Sequence, residues 1–250
     1  MTMTGLNVPR AAGLAHDTAM RLAAEEYQRF ADLLASLRPG DWTTPTECPG
    51  WDVHAMAAHA LGMVEMAASI RERNRQVKQA RRAGGSFIDA LTALQVDEHA
   101  HLTPAQITER YGRLGPKATR ARHRAPGFIR RRTLPIPQQV GRRSEDWTVG
   151  YLLDVILTRD PWMHRVDITR VTGAEHVVTA EHDGLIVANV VTEWAGRHGQ
   201  PFTLRLSGPA GGSWTSGDGG PLVQLDAVEY CRILSGRSPG DDLLAAQVPF

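Results

Sequence analysis

Cysteine is nearly missing from this chain: Cys48 and Cys231 are the only two in 250 residues. Two thiols so far apart support neither a disulfide framework nor a cysteine-rich zinc module, and a reducing compartment suits them best. Long hydrophobic runs are missing as well. Nowhere do 18 apolar residues follow one another, so no membrane-spanning helix is predicted. Met1 to Ala15 contains Arg10 but no apolar stretch of signal-peptide length, and the expectation is a cytoplasmic protein with no membrane partner. Charge of one sign is also lacking. A net charge of +1 excludes wholesale attraction to nucleic acid or to a membrane surface and leaves only local patches to consider.

What is present is apolar content, 42% of residues, enough for one large core or two small ones. Between His16 and Leu37 apolar residues recur at helical spacing until Pro39-Gly40 ends the pattern. The turn formers from Asp41 to Gly50 predict a connecting loop. Asp52 is placed to cap a second helix, with Trp51 as a hydrophobic staple before it. On that helix Met56, His59, Met63 and Met66 share one face, which turns His59 toward the apolar stripe and His54 to another side. A polar run, Arg71 to Arg82, leads to a break at Gly84-Gly85 and a third helix from Phe87 to His99 or His101. Thr103-Pro104 opens a fourth, which Gly115-Pro116 is expected to split. Short connections between helices predict an antiparallel bundle.

Lys117 to Arg143 carries nine basic residues and no Asp or Glu. With Pro126, Pro135 and Pro137 much of it reads as extended or loop-like, either an electropositive lip for an anionic ligand or a solvated surface loop. Phe128 is its one aromatic residue, so support for a nucleic-acid site is weak. Beyond Gly173 the pattern changes. Leu185 to Trp194 fits a helix, while Phe202 to Leu206 and Leu222 to Leu225 alternate like strands between the glycine-rich turns Gly208 to Gly212 and Gly217 to Gly220. Ala227 to Leu234 returns to helix. The fold class is therefore α+β: a helical domain over residues 1–175 and a small α+β domain over 176–250.

The chemistry concentrates on a helix capped by Thr148. Its apolar stripe, Val149, Leu152, Leu153, Ile156 and Leu157, continues at the same spacing into Asp160, Met163, His164 and Asp167. Residues four apart on a helix lie within about 40° of one another, so Asp160 and His164 would share a side. Burying an acid and an imidazole without partners costs on the order of several kcal/mol, which a bound cation would offset. His59, on the apolar face of the second helix, is the best third ligand. Two imidazoles and a carboxylate favour zinc over nickel, iron(II) or copper. The alternative is that Asp160 caps a helix whose first turn holds Pro161, and that Arg165 or Asp167 ties His164 into a structural network. His54, His99, His101, His176, His182 and His198 read as surface or core residues, and the two cysteines as inert.

Cys48-Pro49-Gly50-Trp51-Asp52-Val53 with downstream His59, followed by Asp160-Pro161-Trp162-Met163-His164-Arg165-Val166-Asp167, resembles the mycothiol-dependent maleylpyruvate isomerase family. The stretch Leu206 to Trp214 and the closing Leu234-Ser235-Gly236-Arg237 are similar to that family's C-terminal domain. The resemblance implies a DinB-like antiparallel four-helix bundle followed by a sterol-carrier-like α+β domain. It also implies a divalent metal, most often zinc, on His59, Asp160 and His164, with mycothiol as cosubstrate. Where the characterised isomerase has Glu, this chain has Asp160. Arg237 is the counterpart of an arginine that assists the anionic substrate, or else a helix-end residue answering the helix dipole. The implied activity is a metal-dependent thiol transferase or isomerase acting on a small electrophile. The competing reading is a non-catalytic metal- or small-ligand-binding protein.

Overall fold

The computed structural model describes residues 14–250 together with the backbone of Leu6–Asn7. The reading of the N-terminus as free of an export signal falls almost wholly outside the described residues. Two compact units emerge among the described residues, one of His16–Leu134 with Thr148–His176, the other of Leu6–Asn7, residues 14–15, Pro135–Trp147 and Val177–Phe250.

The first unit is helical. It comprises α1 (His16–Ser36), α2 (Val53–Ala68), α3 (Ile70–Ala83), α4 (Phe87–His99), α5 (Pro104–His123), the short α6 (Gly127–Arg130), α7 (Val149–Tyr151) and α8 (Leu157–Thr172). A π-helical turn, Leu152–Ile156, joins the last two. Helices α1, α2, α5 and α8 pack around a core that includes Phe30, Met56, Leu61, Ile107, Tyr111 and Ile168, and the α3–α4 pair lies against α2. Caps start these helices where their side chains suit the task. Asp52 Oδ1 accepts from the Ala55 amide at 2.8 Å, and Thr103 with Gln106 forms a reciprocal capping box.

Two expectations change. The polar run after Ile70 is a helix, α3, which hides from a hydrophobic pattern because its buried residues are Gln76 and Ala80. Gly115-Pro116 does not split α5: a side chain on Gly115 would meet Tyr27 Cβ at 2.9 Å, so the glycine admits α1 while the helix runs on through Pro116.

The second unit holds a four-stranded sheet in the order β1-β5-β4-β6, from β1 (Leu6–Asn7), β4 (Phe202–Ser207), β5 (Gly212–Ser216) and β6 (Leu222–Asp226). It also holds the hairpin of β2 (Gln138–Val140) and β3 (Arg143–Glu145) and the helices α9 (Asp183–His198) and α10 (Ala227–Leu234). Strand β4 runs antiparallel to β5 and parallel to β6. Trp194 on α9 is fully buried with ring centroids 4.8 Å from Phe202 and 5.5 Å from Tyr230, which joins helix, sheet and α10 in one core. Strand β5 begins at Gly212, where only a turn was expected. The chain is thus α+β, and no described helix is long and apolar enough to cross a membrane.

Candidate metal centre

The loop before α2 is pinned by its own backbone. The Thr46 amide and hydroxyl both donate to the Trp51 carbonyl at 2.9 Å, the Cys48 amide donates to Thr46 Oγ1, and Gly50 adopts φ +79. Trp51 is delivered onto two imidazoles, its ring centroid 5.1 Å from His59 and 6.2 Å from His164. It therefore covers the site, a more specific place than that of a helix staple.

Asp160 and His164 come from α8, whose path depends on a buried arginine. Pro161 has no amide to offer the carbonyl of Leu157, four residues back, and the π-helical turn redirects the bonds before it. Arg122, 1% exposed, supplies the missing donors: Nη1 to Leu157 O at 3.0 Å and to Tyr27 Oη at 2.9 Å, Nε to Leu153 O and Nη2 to Thr158 Oγ1, both at 2.7 Å. Helix α8 thus continues through Pro161, and Asp160 lies within it rather than at its N-cap. Beside the site, Arg165 and Glu26 form a fully buried pair, Nε to Oε1 3.0 Å and Nη2 to Oε2 3.2 Å.

His59, Asp160 and His164 are brought together. Their ligand atoms lie within 4.8 Å of one another, with Asp160 Oδ1 3.4 Å from His59 Nε2 and 3.5 Å from His164 Nε2. The two histidines are 4% and 6% exposed. Each ring is held from behind: His59 Nδ1–H donates to Gln95 Oε1 at 2.8 Å and His164 Nδ1–H to Asp167 Oδ2 at 3.2 Å. Outer partners of this kind orient ligating histidines in metal proteins. Burial alone would push Asp160 up, but the charge of His164 and hydrogen bonds from both imidazoles hold it well below the usual carboxylate range. Burial alone would push His164 down, and the neighbouring Asp160 instead raises it to about 9.

The donor set fits a cation. Asp160 Oδ2 is buried with no hydrogen-bond partner, an arrangement that a positive ion between the two Nε2 atoms and this carboxylate would satisfy. Cys48 was read as lacking an activating partner, yet it stands with His164 and Asp167 in a second group whose candidate ligand atoms lie within 4.8 Å of one another. The sequence reading missed Gln95 and Arg122, the first on an ordinary amphipathic helix and the second inside a basic run. Arg237 belongs to the other unit, just past α10, where its amide donates to the Arg232 carbonyl at 2.9 Å. His54 bonds the Leu102 carbonyl and His99 bonds Glu65, in keeping with structural roles. The segment Lys117 to Arg143 divides: Arg124, Arg131, Arg132, Arg142 and Arg143 are exposed, whereas Arg122 is buried and Arg130 pairs with Asp154.

Residues 23–169 match the family described as mycothiol maleylpyruvate isomerase N-terminal domain. No curated protein matches significantly. Among solved structures, the fold is similar to the mycothiol-dependent maleylpyruvate isomerase at a TM-score of 0.57, and to a histidine-to-alanine mutant of that enzyme at 0.55. Both are 14% identical in sequence over 90% of each chain. The matched span contains His59, Asp160 and His164 and exceeds half of the chain, so the protein belongs to the mycothiol maleylpyruvate isomerase N-terminal domain family.

Proposed function

We propose that this chain is a metal-dependent enzyme that uses mycothiol to isomerise, or to transfer a thiol to, a small electrophilic and anionic substrate of the maleylpyruvate type. His59 Nε2, Asp160 and His164 Nε2 would hold the metal, with zinc favoured by two imidazoles and one carboxylate. The observation that carries this reading is the buried Oδ2 of Asp160, which has no hydrogen-bond partner while two imidazole nitrogens flank Oδ1. When bound, the metal supplies positive charge that keeps a thiol ionised at neutral pH. Three protein ligands leave coordination positions for such a thiol.

The chain's own residues prepare the site. Gln95 and Asp167 keep protons on the two Nδ1 atoms, leaving the Nε2 lone pairs to face the metal. Trp51 shields both rings, which limits water and strengthens every charge interaction behind it. Arg237 is proposed to meet an anionic group of the substrate.

The test is elemental analysis of protein purified without a nickel column, beside His59→Ala. About one zinc per chain in the wild type and less than a tenth of that in the variant is expected. Equal or absent metal in both would sink the site. Turnover of maleylpyruvate and related electrophiles with mycothiol, compared with other thiols, then separates an enzyme from a binding protein.

A further inference from the structure

Behind His59 a chain of side chains leads away from the centre, and its direction is dictated by which atoms are able only to accept. Gln76 is fully buried between two such acceptors, the Gly62 carbonyl at 3.3 Å and Glu72 Oε1 at 2.9 Å. Its amide nitrogen must face them, so its oxygen must face Gln95. Gln95, also fully buried, answers with its amide nitrogen at 2.9 Å, and the second N–H of that group points among Met63 Sδ and Met66 Sδ. Only the oxygen of Gln95 is left for His59, and it can accept only from a protonated Nδ1. The remote end is held in turn, since Arg75 binds both Glu72 and Glu98.

We propose that Glu72, Gln76 and Gln95 form a directional hydrogen-bond relay that sets the tautomer of His59, making all three positioning residues for its metal-facing nitrogen. Backbone space has been cleared for the relay. A Cβ on Gly62 would lie 2.5 Å from Gln95 Cγ, so glycine at that place on α2 lets α4 bring the amide up to His59, three residues away. The identification of His59 Nε2 as a ligand atom rests on the function proposed above, whereas the tautomer itself does not.

The experiment reads the two separately. Nitrogen-15 NMR of the imidazoles in metal-free protein, at mildly alkaline pH, is expected to show His59 with its proton on Nδ1, where Gln95 Oε1 at 2.8 Å is the closer acceptor, rather than on Nε2, which faces Asp160 Oδ1 at 3.4 Å. In Gln76→Met, which keeps the volume and removes the acceptor, His59 becomes a mixture of tautomers. Cobalt(II) and zinc affinity should fall about tenfold in Gln76→Met and tenfold to a hundredfold in Gln95→Leu. Combining the two should cost no more than Gln95→Leu alone, because Gln76 acts through Gln95; a merely structural role would give additive losses. Glu72→Ala, at the half-exposed end, offers a milder variant that leaves the buried amide pair in place, with a smaller tautomer shift expected. A wild-type His59 carrying its proton on Nε2 overturns the relay. So does a tautomer unmoved by both Gln76→Met and Glu72→Ala. The expected tautomer pattern in a protein that binds no metal supports the relay while removing the proposed function.

Discussion

Helix α8 contributes to two buried charged clusters, and they are finished to different degrees. Around Arg122 and Arg165 the bonding is closed: Arg122 has an acceptor for every guanidinium nitrogen, and Arg165 meets Glu26 with two. At His59, Asp160 and His164 it is open, because Asp160 Oδ2 has no partner and the hydrogen bonds to Oδ1 are long, at 3.4 and 3.5 Å. A closed polar cluster contributes to the fold as it stands. An open one leaves a buried acceptor, Asp160 Oδ2, without a partner from the chain, which is a usual mark of a site built for a ligand.

That contrast breaks most sharply at the closed end. Arg165→Met leaves Glu26 buried without a counter-charge and should lower stability by about 3–5 kcal/mol in urea denaturation; a loss below about 1 kcal/mol would show the pair to be incidental. Arg122→Met should cost about 2–3 kcal/mol by stripping the Leu153 and Leu157 carbonyls of their donors. Pro161→Ala in that background is expected to recover part of the loss, since it restores an amide for Leu157, and no recovery would mean that Arg122 does not compensate the proline. At the open end the prediction reverses. Asp160→Asn should abolish metal binding in equilibrium dialysis, while the metal-free protein loses less stability than in Arg165→Met, because the contacts of Asp160 Oδ1 to the two imidazoles are long, at 3.4 and 3.5 Å. A large loss there would place Asp160 among the structural residues.

The smallest expected effect concerns His99. Burial would lower its pKa, but hydrogen bonds to Glu65 and to the Gln95 carbonyl outweigh burial and raise it. The linkage therefore favours folding below the ordinary imidazole value of about 6.5 and is lost as pH rises through the higher folded value. His99→Gln should flatten the stability profile across that window; a profile unchanged by the substitution would remove His99 from the account.

Legibility differed from element to element. The start of α2 was readable because capping is local: Asp52 and the amide it serves are three residues apart. The strand pair Phe202–Ser207 and Leu222–Asp226 was readable through alternation, while Gly212–Ser216 was hidden because its glycine and serines carry no apolar period. Helix α3 escaped for the same reason, its inward face being made of Gln76 and Ala80.

By itself the sequence determined that Asp160 and His164 share a helical face and that His59 lies on an apolar stripe, since helical phase follows from spacing alone. Only the tertiary structure decided that these faces meet, that Arg122 carries the helix past Pro161, and that Gln95 stands behind His59. Those relations join residues 31 to 105 positions apart in the chain. No local period encodes them, because they arise from which helices pack together and from the need to satisfy every buried polar atom once they do.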